Sequence, residues 1–269
     1  MSKAKIVFWN INKKAENIAL ILQYAKENDV DIIALCEASL DYQDDIYQAY
    51  QGMGYEHNGI LLFARKPVNV FCASEGQRYT VYRMQEPLRC TFAVVHLNSD
   101  LSKNADRYRD ADIQSIKEAL LIQEQKYSDK SSFVIGDFNE NLFDDHLTSW
   151  SGFNVRYFMC LMGSKGTEKK HESEMDLFFS PLLQIYKDND RENTGKGTYF
   201  FENDPVGWLC YDQVLMKKQV MKMYKPNSIQ LIHELSPTIS LVEKHKPKKE
   251  YSDHLPIVFE LDNEEEQHE

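Results

Sequence analysis

The stretch Ser132-Phe133-Val134-Ile135-Gly136-Asp137-Phe138-Asn139 joins an apolar run to a carboxylate and a carboxamide two residues apart. The apolar run predicts a buried strand. Because successive side chains of an extended chain alternate between two faces, Asp137 and Asn139 would point to the same side where that strand ends. The same spacing also suits a tight turn, in which Asp and Asn are common. The ends of the other strands decide between these two interpretations.

Other apolar runs meet polar side chains in the same way. The runs and their polar neighbours are residues 6–9 with Asn10 and Asn12, residues 32–36 with Glu37, residues 91–95 with His96, residues 209–211 with Asp212, and residues 255–259 with the preceding Asp253 and His254. Glu37 is informative, because a buried strand that ended in an unpaired carboxylate would lose several kcal/mol. We therefore expect Glu37 to meet a cation.

In six motifs the chain resembles the endonuclease/exonuclease/phosphatase superfamily, which includes pancreatic-type deoxyribonucleases, AP endonucleases, sphingomyelinases and inositol-polyphosphate phosphatases. The motifs are Trp9-Asn10-Ile11-Asn12, Leu35-Cys36-Glu37, Val95-His96-Leu97, Gly136-Asp137-Phe138-Asn139, Tyr211-Asp212-Gln213-Val214 and Ser252-Asp253-His254. Each is common by chance, but together they occur in the family's order over residues 6 to 259. The resemblance implies a metal-dependent hydrolase of phosphate esters.

The coarse pattern of elements agrees with an α/β protein. Helical spacing of apolar residues predicts helices over residues 14–28 and 106–126. Strands are expected over residues 59–64, 67–73 and 89–96, besides those already described. This mixture suggests two mixed sheets packed face to face. The resemblance implies a four-layer α/β/β/α sandwich with its site where the strand ends of both sheets converge.

Composition predicts one catalytic domain over residues 1–261, followed by an acidic tail over residues 262–269. A hydrophobic fraction of 42% in 269 residues supports a sizeable core. The five cysteines have no C-x-x-C spacing and their number is odd, so we interpret them as reduced core residues. Together with an N-terminus that lacks a signal-peptide core, they predict a cytoplasmic protein.

The net charge of −11 argues against a nucleic-acid partner, because phosphate backbones are normally met by Lys and Arg. The acidic tail and the site carboxylates account for part of that charge. Lys246 and Lys248 belong to a cationic loop, residues 244–249, which lies shortly before His254 and would gather phosphate groups near the site. The alternative is an ordinary solvated loop.

Phosphoryl transfer needs a metal, a group that handles the proton of the attacking water, and donors for the developing charge. The resemblance implies Mg²⁺, with Mn²⁺ able to substitute, held by Glu37, Asn10 and Asp253. It also implies that the pair of His254 with Asp212 acts at the scissile phosphate. Asp137 and Asn139 would orient water or phosphate oxygens. Whether Asp137 or His254 is the general base stays open.

His96 is the remaining catalytic candidate, and binding of phosphate through its imidazole N–H is the expected role. In deoxyribonucleases the matching His has a glutamate partner near the position of Gly59, where this chain carries Glu56 and Asn58 instead. We interpret Asn12 as a supporting residue. Asp176 is interpreted as structural, without a basic partner.

The substrate is the least determined property. We expect DNA, cut internally or from ends, with a nucleotide or lipid head group as the alternative and a catalytically silent binding module as a third. Tyr199, Phe200 and Trp208 loosely resemble the segment with which AP endonucleases hold an abasic sugar, but core packing is the favoured interpretation.

Overall fold

The computed structural model describes residues 3–38, 43–51, 59–99, 105–170, 172–187 and 196–263. The first half contains β1 (Lys3–Asn10), α1 (Glu16–Glu27), β2 (Ile32–Cys36), β3 (Tyr47–Gln51), β4 (Leu61–Arg65), β5 (Asn69–Glu75), β6 (Tyr79–Glu86), β7 (Cys90–His96), α2 (Ala105–Tyr127) and β8 (Ser132–Asp137). The second half contains α3 (Asp145–Thr148), β9 (Val155–Arg156), β10 (Thr167–Lys170), β11 (Ser173–Asp176), β12 (Phe178–Phe179), α4 (Leu183–Lys187), β13 (Tyr199–Phe200), β14 (Trp208–Leu209), β15 (Asp212–Met216), α5 (Lys218–Met223), β16 (Gln230–Leu231), β17 (Glu234–Ser236), β18 (Ile239–Ser240), β19 (Val242–Glu243), β20 (Lys246–Pro247) and β21 (Ile257–Asp262).

Two large mixed sheets dominate the described part of the chain. The first has the strand order β16-β21-β1-β2-β4-β3, and the second has the order β5-β6-β7-β8-β15-β12-β9. Each contains a central parallel pair, β1 with β2 and β7 with β8, among antiparallel neighbours. The expected α/β class with two mixed sheets is therefore confirmed.

The sheets pack face to face because their central strands are apolar on both sides. On β1, Ile6 and Phe8 enter the core between the sheets, whereas Val7 and Trp9 pack on the side of α1. The ring of Phe133 on β8 meets that of Phe259 on β21, with centroids 6.0 Å apart. Burial of both faces explains why these strands are continuous apolar runs and not alternating ones.

The two long helices cover the outer faces of the sheets. The stripe of α1 that contains Ile18, Ile21 and Leu22 is buried with Val7 and Trp9 of the first sheet. The stripe of α2 that contains Ile113, Ile116 and Leu120 is buried against the second sheet. The result is the expected four-layer order, helix, sheet, sheet, helix. Among the described residues, no helix is long and apolar enough to cross a membrane.

Two strands of five or more residues were missed at the sequence level, β3 and β6, besides several shorter ones. β6 is an interior strand between β5 and β7, and its first six residues are buried. Arg83 lies in the middle of this strand, and its charge interrupts the apolar run that would have indicated a buried strand. In the fold, Arg83 is 4% exposed and its Nη2 atom lies 2.8 Å from Oδ2 of Asp129. A charge buried in this way is stable only because a distant segment supplies its partner.

Three smaller expectations need comment. Asp176 does have a basic partner, contrary to expectation, because Nζ of Lys217 lies 2.6 Å from its Oδ2 atom. The five cysteines are free, but Cys72 and Cys160 are exposed and not part of the core. β21 extends to Asp262, and residues 264–269 of the expected tail lie outside the described residues. The domain boundary and the cytoplasmic location stay predictions.

Candidate active site

The polar strand ends of both sheets meet at one cleft of about 280 Å³. The cleft is lined by Asn12, Glu37, Arg78, His96, Leu97, Asn98, Ser99, Asp137, Asn139, Tyr199, Asp253 and His254. These residues come from seven separate segments of the chain. The two parallel strand pairs explain the convergence, because their carboxyl ends lie at the same edge of each sheet: Asn10 is opposite Cys36, and His96 is opposite Asp137.

Gly136 allows β7 and β8 to lie side by side at this edge. Its φ is +154°, and a Cβ atom at this position would lie 2.0 Å from the carbonyl oxygen of Val95. Any larger residue would therefore push the two strands apart. The glycine places His96 directly beside Asp137.

His254 and Asp212 form a buried pair at the back of the cleft. Nδ1 of His254 lies 2.8 Å from Oδ2 of Asp212. Three further contacts orient the histidine: its main-chain N–H donates to Oγ of Ser252 at 3.1 Å, that hydroxyl donates to the carbonyl of Asn10 at 2.8 Å, and Nε1 of Trp9 donates to the carbonyl of His254 at 3.0 Å. Trp9 and Asn10 of β1 thus fix the position of the segment that contains Ser252 and His254.

Asp137 stands between two imidazole rings. Its Oδ2 atom lies 3.8 Å from Nε2 of His254 and 3.9 Å from Nε2 of His96. The same oxygen accepts a hydrogen bond from Nδ2 of Asn10 at 2.9 Å, and Oδ1 accepts one from the main-chain N–H of Asn139, also at 2.9 Å. These contacts hold the carboxylate in one orientation toward the cleft.

The electrostatics of the pair favour a protonated imidazole. Burial raises the pKa of the Asp212 carboxyl above its usual value, and the nearby His254 offsets this only in part. For His254, burial opposes the charged form, but the carboxylates of Asp212 and Asp137 outweigh burial and raise the pKa of the imidazole. With Nδ1–H directed to Asp212, the charged ring presents a second N–H, on Nε2, to the cleft.

Glu37 lies on the opposite side of the cleft, at the end of β2. Its Oε1 atom is 3.6 Å from Nε2 of His96 and 3.4 Å from Nδ2 of Asn10. Nζ of Lys13 lies 3.9 Å from Oε2 of Glu37 on a side chain that is 83% exposed, and the metal expected at Glu37 stays a prediction. Glu37 has a φ of +53°, a conformation that costs ~1–3 kcal/mol in a non-glycine residue and is concentrated at functional sites.

Asp253 also lines the cleft, and Asn12 connects it to the first strand. Nδ2 of Asn12 donates to Oδ1 of Asp253 at 3.0 Å, and its main-chain N–H donates to Oδ1 of Asn10 at 3.0 Å. Asn12 thus contacts two of the predicted metal ligands, and its supporting role stays a prediction. Glu37, Asp137, Asp253 and Asn10 together form an oxygen-rich donor set of the kind that Mg²⁺ prefers.

A second group of possible ligands lies deeper. One ligand atom each from Asp137, Asp212 and His254 falls within 4.8 Å of the others, and all three residues are buried. Two of these residues already bind each other through Nδ1 and Oδ2. A hard cation could bind to this group only by breaking the His254–Asp212 pair. The donor chemistry therefore favours a metal on the side of the cleft that contains Glu37.

The predicted lysines do not reach the cleft. β19 and β20 form a hairpin whose turn contains Lys244 and His245, and no residue of this hairpin lines the cleft. Nζ of Lys246 instead pairs with Oε1 of Glu202 at 2.6 Å and lies 5.4 Å from the ring centre of Phe200. Lys248 does not line the cleft either. Proximity in sequence to His254 did not make these residues neighbours of the site.

The aromatic segment divides between core and cleft. Trp208 is buried, and its ring centre lies 5.2 Å from that of Phe200, in agreement with the interpretation as core packing. Tyr199 differs, because it lines the cleft with its ring centre 4.7 Å from that of His254 and stacks on Tyr211 at 4.9 Å. The sequence analysis did not single out Tyr199 from its neighbours.

Arg78 is the functional candidate that sequence reasoning missed. Among the described residues, Arg78 is the one Lys or Arg side chain in the cleft lining. Its Nη2 donates to Oδ1 of Asn98 at 2.6 Å. It lies in the turn between β5 and β6, and its carbonyl accepts the N–H of His96 at 2.9 Å. If β6 had been recognised as an antiparallel neighbour of β7, the turn before β6, which contains Arg78, would have been expected beside the end of β7. Glu56 and Asn58 occur where deoxyribonucleases have the glutamate partner of the histidine that matches His96. Both residues lie outside the described residues.

Comparison with known families identifies the class of protein. The model of the endonuclease/exonuclease/phosphatase family matches residues 7–254, nearly the whole chain. The chain belongs to this family. Membership confirms the resemblance seen in the motifs and, with it, the expected class, a nuclease-like phosphoric-ester hydrolase. A search of curated protein sequences returned no significant match.

Solved structures show the same fold at low sequence identity. The endonuclease domain of TRAS1, a telomere-specific non-LTR retrotransposon, has a TM-score of 0.58 at 14% identity, with 97% of this chain and 99% of that chain covered. TDP2 of D. rerio, complexed with a single-strand DNA product, has a TM-score of 0.56 at 17% identity, with 98% and 100% covered. The AP endonuclease LMAP of Leishmania major has a TM-score of 0.58 at 11% identity, with 97% and 88% covered.

Proposed function

We propose that this protein is a Mg²⁺-dependent phosphodiesterase that cleaves DNA. The observation that carries the proposal is the buried His254–Asp212 pair, whose imidazole faces Asp137 across 3.8 Å in the cleft that Glu37 closes on its other side. A proton-carrying ring, an oriented carboxylate and an oxygen-rich donor set are the groups that hydrolysis of a phosphate ester requires.

Glu37, Asn10 and Asp253 would hold the metal. Mg²⁺ suits them because it takes oxygen ligands, commonly one or two carboxylates with the remainder from water and substrate phosphate. When bound, the ion supplies charge neutralisation at the phosphate and orientation of its oxygens. Mn²⁺ has similar ligand preferences and would substitute for it.

The protonation state of His254 separates its role from that of Asp137. A charged imidazole donates through Nε2 and stabilises charge on a phosphoryl oxygen. The carboxylate of Asp137, with its orientation held by Asn10 and Asn139, accepts a hydrogen bond from the attacking water and aligns it with phosphorus. In this assignment Asp137 is the group that orients the nucleophile, and Asp212 keeps His254 charged.

Phosphate oxygens would be bound by donors around the cleft. His96 and Asn139 line the cleft and would contact phosphate oxygens, and Arg78 adds the guanidinium group that a polyanionic substrate needs. Lys246 and Lys248, outside the cleft, would contact only a substrate long enough to extend past Tyr199. These positions are consistent with a nucleic-acid chain crossing the edge of both sheets.

The choice of DNA is supported by the structural neighbours. TDP2 was crystallised with single-strand DNA product, and the TRAS1 and Leishmania proteins are described as an endonuclease and an AP endonuclease. A second candidate is a small phosphate ester, such as a nucleotide or lipid head group. The modest cleft volume of about 280 Å³ favours that alternative.

A panel of substrates tests the proposal. The protein is incubated with plasmid, linear duplex, single-stranded DNA, RNA and bis-p-nitrophenyl phosphate, each with Mg²⁺, Mn²⁺ or chelator. We expect metal-dependent nicking of plasmid or shortening of linear DNA, abolished by chelator. Hydrolysis of the small ester without any action on DNA would select the second candidate, and activity undiminished by chelator would refute the metal assignment.

A further inference from the structure

Arg109 carries a buried charge directly behind the cleft. It lies in the first turns of α2, and its side chain is 3% exposed. Its Nε atom is 2.9 Å from Oε1 of Glu140, and its Nη2 donates to Oδ1 of Asp106 at 2.7 Å. An arginine stays charged in proteins, so this burial is stable only with such partners.

The same guanidinium group joins the two loops that carry site residues. Nη1 of Arg109 donates to the main-chain carbonyl of Asn98 at 3.2 Å and to that of Asn139 at 3.1 Å. Asn98 follows His96 by two residues, and Asn139 follows Asp137 by two residues. Arg109 therefore contacts the backbone beside both of these side chains without lining the cleft itself.

Other contacts between the loops depend on the same arrangement. Nδ2 of Asn139 donates to the carbonyl of Leu97 at 3.0 Å, and the N–H of Leu97 donates to the carbonyl of Asp137 at 2.9 Å. Asn139 has a φ of +50°, a left-handed conformation that persists only when surrounding contacts maintain it. The two hydrogen bonds from Arg109 are among those contacts.

We infer that Arg109 is a positioning residue, which keeps His96 and Asn139 at the spacing that catalysis needs. The inference rests on the proposed function, because it assigns a role toward that same site. Misplacement of reacting groups by about 1 Å can cost ~10²-fold in rate, so loss of this connection should appear in kcat. Lysine cannot replace the arginine here, because one ammonium group lacks the fork that reaches two carbonyls and two carboxylates together.

Arg83 provides the matched control. It is 4% exposed, its Nη2 pairs with Asp129 at 2.8 Å, and its Nη1 donates to Oγ1 of Thr91 at 3.1 Å. Thr91 lies near the start of β7, whereas His96 ends it. Arg83 is thus about as buried as Arg109 and also pairs with a carboxylate, but it contacts β7 at the end opposite to His96.

The experiment compares Arg109→Lys with Arg83→Lys for Tm, kcat and KM on a DNA substrate that the wild type cleaves. We expect both to lower Tm, whereas Arg109→Lys alone lowers kcat by ~10- to 100-fold with KM little changed. Equal kcat values in the two variants, measured well below both melting temperatures, would overturn the inference.

A second measurement is independent of turnover. The imidazole ¹H–¹³C resonances of His96 should move in Arg109→Lys and stay in place in Arg83→Lys. This result is obtainable even if the wild type hydrolyses none of the substrates, so failure of the proposed function and failure of the positioning role are distinguishable. If Arg109→Lys does not fold, Glu140→Gln takes its place, because it loosens the guanidinium with little change of shape. Unmoved His96 resonances would then refute the role.

Discussion

Nδ1 of His254 and Oδ2 of Asp212 lie 2.8 Å apart in a buried part of the site, although the two residues are 42 positions apart in sequence. Burial alone would drive the imidazole to its neutral form. The two nearby carboxylates reverse that tendency and raise the pKa of His254. The pair therefore keeps a protonated imidazole, that of His254, beside Asp137.

Substitution Asp212→Asn should lower the pKa of His254, because it removes the closest carboxylate. If the charged imidazole is the active form, activity is lost as pH rises through that pKa, so the alkaline limb of the pH–rate profile moves to lower pH in the variant. NMR titration of the imidazole, together with kcat measured across pH, checks both statements. A limb that stays in place would show that another group controls it.

His254→Ala should reduce kcat by at least ~10²-fold, which is the usual contribution of a positioned proton-transfer or charged group. His233→Ala is the control, because His233 does not line the cleft. A loss of less than about tenfold would reassign His254 to a structural role.

Glu37→Gln should abolish metal-dependent activity while Tm stays near that of the wild type, because Glu37 is partly exposed and makes only long contacts at 3.4 to 3.9 Å. Titration with Mg²⁺ should show weakened activation in this variant. Glu260→Gln, at the far end of β21, is the matched control. Undiminished turnover of Glu37→Gln would remove Glu37 from the metal site.

Gly136→Ala should be severely destabilising, because the new Cβ would overlap the carbonyl of Val95. We expect a loss of ~3 kcal/mol or more in unfolding free energy, at the upper end of single-residue effects. Gly163→Ala is the control: its φ of +56° also strains a non-glycine residue, but nothing lies within 4 Å of the added atom, so only the backbone strain of ~1–3 kcal/mol is expected. Urea denaturation of both variants measures the difference, and equal losses would refute the steric explanation.

Asp44 should make stability depend on pH in the acid range. Burial tends to raise its pKa, but Nζ of Lys26 at 2.5 Å and the main-chain N–H groups of Ile46 and Tyr47 outweigh burial and lower it. A lowered folded pKa gives stability that is present above the unfolded pKa and is lost as pH falls through the folded value. Asp44→Asn should therefore be less stable than wild type at pH 7, and the difference should vanish in strong acid. A constant difference across pH would contradict this.

Combined neutralisation of Lys244, Lys246, Lys248 and Lys249 should flatten the salt dependence of DNA binding if a long polyanion passes over their hairpin. The comparison is a variant neutralised at Lys3, Lys5, Lys222 and Lys225, which lie beside the starts of the central strands, far from the cleft. Identical slopes of log Kd against log salt in both variants would confine the substrate to the cleft.

The sequence by itself determined the long helices, most central strands and the polar residues at their ends. The reason is local: a continuous apolar run is stable only when buried on both faces, and a carboxylate or imidazole at its end must then meet a partner or solvent. Glu37, Asp137, Asp212 and His254 could be found in this way, because each lies beside such a run.

Only the tertiary structure decided which polar residues share the cleft. Arg78 and Tyr199 lie in it, whereas Lys246 and Lys248 do not, although the lysines are closer to His254 in sequence than either of the former. Arg83 and Arg109 are buried because Asp129 and Glu140, both more than 30 residues away, neutralise them. A buried charge depends on partners brought close by the whole fold, and the local sequence supplies only the exposed Asp106, three residues before Arg109.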